Sequence, residues 1–230
     1  MGEGNYRDIS DRATAAPQGG AQETRDRTAR ELVTERLRLG PLQPVHAEVL
    51  HQLCVDPEVR RYLFADRVIE LAQVQDMISA SERCFQTYGT GFYAVFVNLA
   101  NHPLDGQFAG FCGVRLFADG HGAERSFADR SLEMLVGVNP NIWGRGFGVE
   151  AARAVMRDAF ERCGVEYLLA AADTPNQRSI RVLQKLGMSF RERRQWHGLD
   201  TMFYEITAAE FLQREAKFRP PHEQYASRET

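Results

Sequence analysis

The chain alternates between two hydrophobic periodicities, and their order predicts an α/β chain with a mixed sheet. Strands are expected where apolar and polar residues alternate, or where a short run is apolar throughout. Such runs lie at 35–42, 91–99, 107–118, 131–138, 165–173, 188–196 and 201–207. Helices are expected where apolar residues recur at spacings of three and four. Such segments lie at 46–63 (one or two short helices), 70–88, 149–163 and 176–187.

Both ends of the chain lack this patterning. Residues 1–30 contain no Leu, Val, Phe, Trp or Cys, and residues 216–230 are polar around Pro220 and Pro221. Such segments bury too little apolar surface to offset the entropy lost on ordering. We therefore expect a disordered tail at 1–30, a folded domain at 31–215 and a flexible tail at 216–230.

Charge and cysteine content narrow the class of protein. The 28 basic and 31 acidic residues give a net charge of −3, which argues against a nucleic-acid-binding face. The four cysteines form no C-x-x-C pair and are expected to be buried, reduced thiols in a cytoplasmic protein. Neither an apolar run long enough to span a membrane nor a secretory signal is present. No histidines show the spacing of metal ligands, since His46 and His51 are five residues apart, and no metal is expected.

A glycine-rich segment, "NIWGRGFGVEAAR" at 141–153, connects a predicted strand to a predicted helix. The first N–H groups of a helix lack internal partners and carry partial positive charge, so a phosphate can bind there if no Cβ blocks it. The segment differs from a Walker loop, because no Gly-Lys-Ser/Thr follows, and from G-x-G-x-x-G, because Val149 replaces the last glycine. A turn whose glycines serve only backbone geometry is the alternative.

The surrounding residues resemble the GNAT superfamily of N-acyltransferases. Its signature, Q/R-x-x-G-x-G/A, is matched by "WGRGFG" at 143–148, with Trp143 in the first position. Three stretches are similar to the RimJ/RimL-like branch, the type that acetylates ribosomal-protein N-termini. They are Trp143 with the "VEA" that follows the glycines, the opening "TERLRLGPL" with "DPEVRRYL", and "NQRSIRVLQKLGM" at 176–188. The likeness covers about residues 32–212.

The resemblance implies a GNAT fold: a mixed, mostly antiparallel sheet of six to seven strands flanked by helices, with the cofactor between the fourth and fifth core strands, where they splay. The cosubstrate would be acetyl-CoA, without a metal, and the acceptor a small-molecule amine or a protein N-terminus. No nucleic-acid or membrane partner is expected, and a homodimer is left open. The implied cofactor-binding residues are Val136, Val138, Arg145, Gly146, Phe147, Gly148, Val149, Asn176 and Ser179.

Two residues are candidates for catalysis. Glu133 alternates with Leu132 and Met134 on its strand, and a carboxylate there could remove the proton of the attacking amine. Ser179 is the nearest hydroxyl that could protonate the leaving thiolate, because Leu183 stands where many relatives have a tyrosine. The alternatives are a solvated charge for Glu133, a self-bonded hydroxyl for Ser179 and helix capping for Asn176.

Three further alternatives concern the activity as a whole. The first is a module that binds CoA for regulation or structure without turnover. The second is a Rossmann-like nucleotide binder. The third is a covalent route through Cys112 or Cys163, although both positions are typical of a core. The acceptor pocket is expected to be built from residues 56–75, the 119–129 loop and the last two strands.

Overall fold

A computed structural model describes residues 28–117 and 132–218 of the chain. In that part, eight strands form one sheet in the order β1-β2-β3-β4-β5-β6-β8-β7. The strands are β1 (Leu32–Val33), β2 (Leu37–Pro41), β3 (Phe92–Val97), β4 (Phe108–Leu116), β5 (Leu132–Val138), β6 (Tyr167–Asp173), β7 (Ser189–Trp196) and β8 (Leu199–Thr207). The α-helices are α1 (Ala47–Val55), α2 (Pro57–Leu63), α3 (Leu71–Tyr88), α4 (Phe147–Glu161), α5 (Gln177–Lys185) and α6 (Ala208–Phe218).

Every neighbouring pair of strands is antiparallel except β5 and β6, which are parallel. The predicted mixed, mostly antiparallel sheet is therefore confirmed, with eight strands instead of six to seven. The extra strand, β1, has only two residues, which is too short to produce a readable periodicity.

Helices cover the sheet on both faces. On one face, α4 packs its predicted apolar stripe against β2, β4 and β5, and Ala152, Met156 and Ala159 are fully buried there. On the other face, α1, α2 and α3 enclose a second apolar cluster around Phe92 and Phe111. Side chains of β5 and β6 alternate between these faces. We call the first the α4 face and the second the acceptor face.

The described residues extend past both predicted domain boundaries. Arg30, predicted to lie in the disordered tail, donates two hydrogen bonds to Asp158 of α4. Helix α6 was not predicted, and it continues to Phe218, three residues into the predicted C-terminal tail. It is held against α4 by ring contact between Phe211 and Phe160 and by ion pairs to Glu215. Residues 1–27, 219–230 and the predicted 119–129 loop lie outside the described residues.

Candidate functional site

The site begins where the two parallel strands separate. Pairing between β5 and β6 stops at Glu133 and Leu169, although both strands continue for at least four more residues. The Asn139 N–H donates to the Ala109 carbonyl. In an antiparallel ladder, every second residue bonds to the neighbouring strand, and the residues between point their main-chain groups the other way. The N–H and C=O groups of Val136 and Val138 therefore point away from β4. They face the gap, which we call the splay. This is the position predicted for a bound amide-containing chain.

The glycine turn lies beside the splay at the start of α4. Gly146 is the N-cap residue, with a left-handed φ of 83°, and as a glycine it has no side chain with which to cap the helix. Gly144 is also left-handed, at 79°. An L-amino acid with a side chain would be strained at both positions. Within residues 28–117 and 132–218, no side chain accepts from the first N–H groups of this 15-residue helix, and that geometry fits a phosphate group.

The lack of a side chain at Gly148 allows close packing of α4 on β5 as well as access of a ligand to the turn. A Cβ atom at this position would lie 3.2 Å from Val138 Cγ2 and 3.5 Å from Val136 Cγ1, so the glycine lets α4 approach β5 closely. The Phe147 side chain is buried in the α4-face core, and Val149 packs against that core. Phe147 can therefore contact a ligand only through its main chain, whereas the partly buried Val149 is less restricted. Arg145 is exposed.

Arg36 holds this turn from a distant part of the sequence. Its guanidinium group pairs with Glu150 at 2.6 Å, donates to the Arg145 carbonyl and lies 4.9 Å above the Phe147 ring. Glu150 also accepts hydrogen bonds from the Thr34 hydroxyl and the Arg36 N–H. Glu150 is thus structural, as predicted. Sequence reasoning missed Arg36, because an arginine in an alternating strand carries no local signal of a contact 114 residues away.

Trp143 takes the place that the family motif gives to Gln or Arg. Its indole Nε1–H donates to the Val138 carbonyl at 2.7 Å. This corrects one detail of the prediction that Val138 pairs with the pantetheine arm. Its carbonyl already accepts the Trp143 hydrogen bond, so only its N–H can bond to the pantetheine arm without competition. Arg178, from the first turn of α5, lies 4.3 Å above the Trp143 ring and links the two sides of the splay.

Helix α5 begins with the predicted asparagine. The Asn176 Oδ1 atom accepts the Ser179 N–H at 3.1 Å, which is the N-capping role weighed for it. The Ser179 hydroxyl is partly exposed and, among the described residues, makes no hydrogen bond. The alternative in which the Ser179 hydroxyl bonds to its own helix backbone is therefore wrong. The position at which many relatives have a tyrosine is occupied by the buried Leu183, so α5 supplies no tyrosine hydroxyl there.

Glu133 faces away from Leu132 and Met134, as predicted, but it is not a solvated charge. Its side chain is only 4% exposed, and Arg115 of β4 donates to its Oε2 atom from Nε and Nη2 at 2.9 and 2.8 Å. Proton uptake by this carboxylate would leave the Arg115 guanidinium buried without its counter-charge. The geometry therefore counts against Glu133 as a general base.

The acceptor face next to Glu133 carries a group of aromatic residues. Phe117 stacks on Trp196 with ring centroids 5.6 Å apart, and Phe203 meets both rings edge-on. Arg194 lies 4.6 Å above the Phe203 ring. Phe203 and Trp196 belong to β8 and β7, so the last two strands line this face, as expected for an acceptor pocket.

The four cysteines do not form a nucleophilic site. All are buried and free of disulfides, as predicted. Burial raises the pKa of the Cys163 thiol to about 11 and the pKa of Cys112 far above its usual range. A thiol attacks as its thiolate. These two residues are therefore core residues and not covalent catalysts.

Neither a metal-ligand cluster nor a membrane-spanning helix is found in the part of the chain that the structure describes. No group of three or more His, Cys, Asp or Glu side chains there could hold a metal ion. No helix among residues 28–117 and 132–218 is long and apolar enough to cross a bilayer.

Comparison with known proteins agrees with this geometry. Residues 36–189 match the family model described as Acetyltransferase (GNAT) domain. The chain is 26% identical to YkkB of Bacillus subtilis over 170 residues, which cover 73% of this chain and 90% of YkkB. It is 29% identical to the FsC-acetyl coenzyme A-N(2)-transacetylase of Aspergillus fumigatus over 164 residues, covering 70% of this chain and 66% of that enzyme.

Solved structures share the fold at lower identity. An acetyltransferase from Agrobacterium tumefaciens superposes with a TM-score of 0.60 at 19% identity, covering 81% of this chain and 99% of that one. RimL, a ribosomal L7/L12 alpha-N-protein acetyltransferase solved in complex with coenzyme A, superposes with a TM-score of 0.61 at 15% identity, covering 77% and 98%. The predicted GNAT fold is confirmed by these superpositions and by the eight-stranded sheet.

Proposed function

The chain belongs to the GNAT acetyltransferase family, and on that premise we propose that it transfers an acetyl group from acetyl-CoA to a primary amine. The observation that carries the proposal is the uncapped N-terminus of α4, which opens beside the splay between β5 and β6. A phosphate at the helix and an extended chain in the splay are the two things that this geometry suits, and coenzyme A contains both.

The residues that would hold the cosubstrate follow from that arrangement. The pyrophosphate would accept hydrogen bonds from the main chain around the glycine turn, and the pantetheine arm would lie along β5. We assign the turn contacts to Arg145, Gly146, Phe147, Gly148 and Val149, and the strand contacts to Val136 and Val138. Asn176 and Ser179, at the start of α5, would also lie beside the cofactor. The exposed Arg145 side chain is free to add a charge-assisted hydrogen bond to a phosphate. Acetyl-CoA itself supplies an acetyl group activated as a thioester.

The chain's own groups would assist the transfer in three ways. The Val136 N–H would donate to the acetyl oxygen as it gains negative charge. The Ser179 hydroxyl, which has no partner within the described part of the chain, would supply a proton to the departing thiolate. A carboxylate on the acceptor face would take the proton of the attacking ammonium. The sequence predicts Glu133 for this role, but its buried ion pair with Arg115 counts against that residue.

For the acceptor we propose the two classes to which the resemblance leads, a small-molecule amine or a protein N-terminus. The RimJ/RimL-like motifs and the superposition on RimL support an N-terminus. The Aspergillus fumigatus relative, named for a transfer to the N(2) position of FsC, supports a small molecule. We place the reaction in the cytoplasm, because all four cysteines are free thiols.

A second candidate function is a CoA-binding module without turnover. Two observations favour it: Leu183 is buried where many relatives have a tyrosine, and Glu133 is engaged by Arg115. Calorimetry with CoA and an assay of thiol release separate the two functions. Turnover predicts thiol release from acetyl-CoA with at least one amine of a panel containing benzylamine, spermidine and peptides with free N-termini.

The possible results of these two measurements are distinct. CoA binding with amine-dependent thiol release supports the acetyltransferase. CoA binding without thiol release across the panel favours the module. A protein that does not bind CoA contradicts both, and stabilisation by ATP or NAD but not by CoA would instead support a nucleotide binder.

A further inference from the structure

A second buried carboxylate lies on the acceptor face, at the end of β6. Asp173 is the last residue of that strand and is only 6% exposed. Its Oδ1 atom accepts the Thr201 hydroxyl of β8 at 3.0 Å. Leu168, Ala170 and Ala172 turn toward the α4-face core, so strand alternation places Asp173 on the opposite side.

The strand register places Asp173 beside the splay. Glu133 of β5 pairs with Leu169 of β6, and the two strands are parallel. Continued at the same offset, this register puts Asp173 level with Gly137, between Val136 and Val138. These are the residues whose main-chain groups face the splay and which we assign to the pantetheine arm and the acetyl oxygen.

Glu133 lies much further from the same point. It precedes Val136 by three residues, which is about 10 Å along an extended strand. Asp173 lies within about one residue, roughly 3 Å, of the Val136 level along the strand direction. The carboxylate at the end of β6 is therefore better placed than Glu133 to meet an amine that attacks the acetyl group from the acceptor face.

We infer that Asp173 is the group that receives the proton of the attacking ammonium, an inference that rests on the proposed acetyl transfer. The carboxylate takes one proton and leaves a neutral amine, whose lone pair forms the N–C bond. The C–S bond breaks, the Ser179 hydroxyl gives its proton to the departing thiolate, and the second proton lost by the nitrogen restores that hydroxyl. The products are the acetylated amine and CoA thiol, and Asp173 returns its proton to solvent.

Both positively and negatively charged side chains surround this end of β6. Thr201 and Phe203 of β8 lie on the same face, and Arg194 of β7 pairs in register with Thr201. Charged and titratable side chains on the nearby elements include Arg115 on β4, Glu133 on β5, Glu192 and Arg194 on β7, Asp200 and Glu205 on β8, Arg178 on α5 and His197 in the β7–β8 turn. A test must therefore separate Asp173 from its acidic neighbours.

The experiment compares Asp173→Asn with Glu133→Gln. The control is Asp200→Asn, the same substitution at a neighbouring carboxylate that pairs with Arg193. Thiol release is followed from pH 6 to pH 10 with whichever amine of the panel has the highest kcat/KM. For Asp173→Asn we expect a loss of 10² to 10⁴-fold at pH 7. The loss should shrink toward pH 10, where the amine is already neutral.

A binding measurement complements the rates. In the dead-end complex with CoA, the same amine should bind Asp173→Asn about tenfold more weakly than wild type at pH 7, because the ammonium loses a charged hydrogen-bond partner. CoA affinity should not change. Should Asp173→Asn fold poorly, Asp173→Glu replaces it, and we expect a reduced rate that keeps the wild-type pH profile.

Several results would overturn the assignment while leaving acetyl transfer intact. They are an Asp173→Asn rate within threefold of wild type, a pH signature carried by Glu133→Gln instead, a parallel loss of CoA affinity, or an Asp173→Glu variant with unchanged kcat. A wild-type protein that releases no thiol with any amine would instead reject the proposed function itself.

Discussion

At the residue scale, the glycine turn shows how backbone conformation and ligand access are combined. Gly144 and Gly146 have nearly the same left-handed φ, so each would cost a substituted side chain a similar strain. They differ in position, because only Gly146 is the N-cap residue of α4. A hypothetical Cβ at Gly144 meets open space, whereas one at Gly146 lies 3.4 Å from the Arg36 guanidinium.

This difference gives a matched pair of variants. Gly146→Ala and Gly144→Ala should each lower the free energy of unfolding by about 1–2 kcal/mol, because alanine is strained in the left-handed region. Only Gly146→Ala should also weaken CoA binding, by tenfold or more. Urea unfolding and calorimetry with CoA measure the two effects. Equal CoA affinities for the two variants would show that the α4 N-terminus is not the phosphate site.

At the element scale, the pairing of β4 with β5 includes one buried ion pair. Arg115 and Glu133 are direct cross-strand partners and both are largely buried. Removing one partner of such a pair is strongly destabilising, whereas removing both is much less so. Glu133→Gln should therefore lower the free energy of unfolding by about 3 kcal/mol, and Arg115→Gln combined with Glu133→Gln by less.

Chemical denaturation of the two single variants and the double variant measures this coupling. Additive losses would mean that the pair contributes nothing beyond its separate side chains. The same variants inform the chemistry. If Glu133→Gln loses stability while its turnover at neutral pH is retained, the role of Glu133 is to hold β4 and β5 together beneath the splay.

The elements themselves could largely be predicted from the sequence. The predicted strand ends agree with the structure within two residues, because each strand of β2 to β8 is long enough to show its period. The glycine turn and the Asn176 cap could also be predicted, since both are local features. Contacts between distant segments could not be predicted: nothing in the helical pattern of α4 signals that Glu150 binds Arg36, and nothing in the apolar run of β6 signals which residues of β5 it pairs with.

At the scale of the whole molecule, Asp158 connects the N-terminal segment to the centre of the fold. This buried carboxylate of α4 accepts hydrogen bonds from Arg30, from Arg162 and from the Tyr93 hydroxyl of β3. Burial opposes its ionisation, but the hydrogen bonds and charges of Arg162 and Arg30 outweigh that effect and lower the pKa of Asp158 below its ordinary value of 3.8.

A lowered pKa in the folded state makes this contribution dependent on pH. It is fully present above the unfolded pKa and is lost as the pH falls through the lower folded pKa. We expect Asp158→Asn to be less stable than wild type at pH 7, with the difference narrowing below about pH 3.8. Urea unfolding at a series of pH values measures this, and a difference that does not change with pH would contradict it.

The burial of all four thiols is a property of the whole fold that chemical labelling can test. Burial raises the pKa of Cys54 and of Cys84 to about 12, and the Cys163 thiol, also buried, titrates near 11. Because the thiolate is the reactive form, a disulfide reagent should label native protein very slowly at pH 8 and should label four thiols at once after unfolding. Fast labelling of the native chain would show that the core opens locally. Slow labelling would also mean that a thiol reagent reports CoA release without interference from the protein itself.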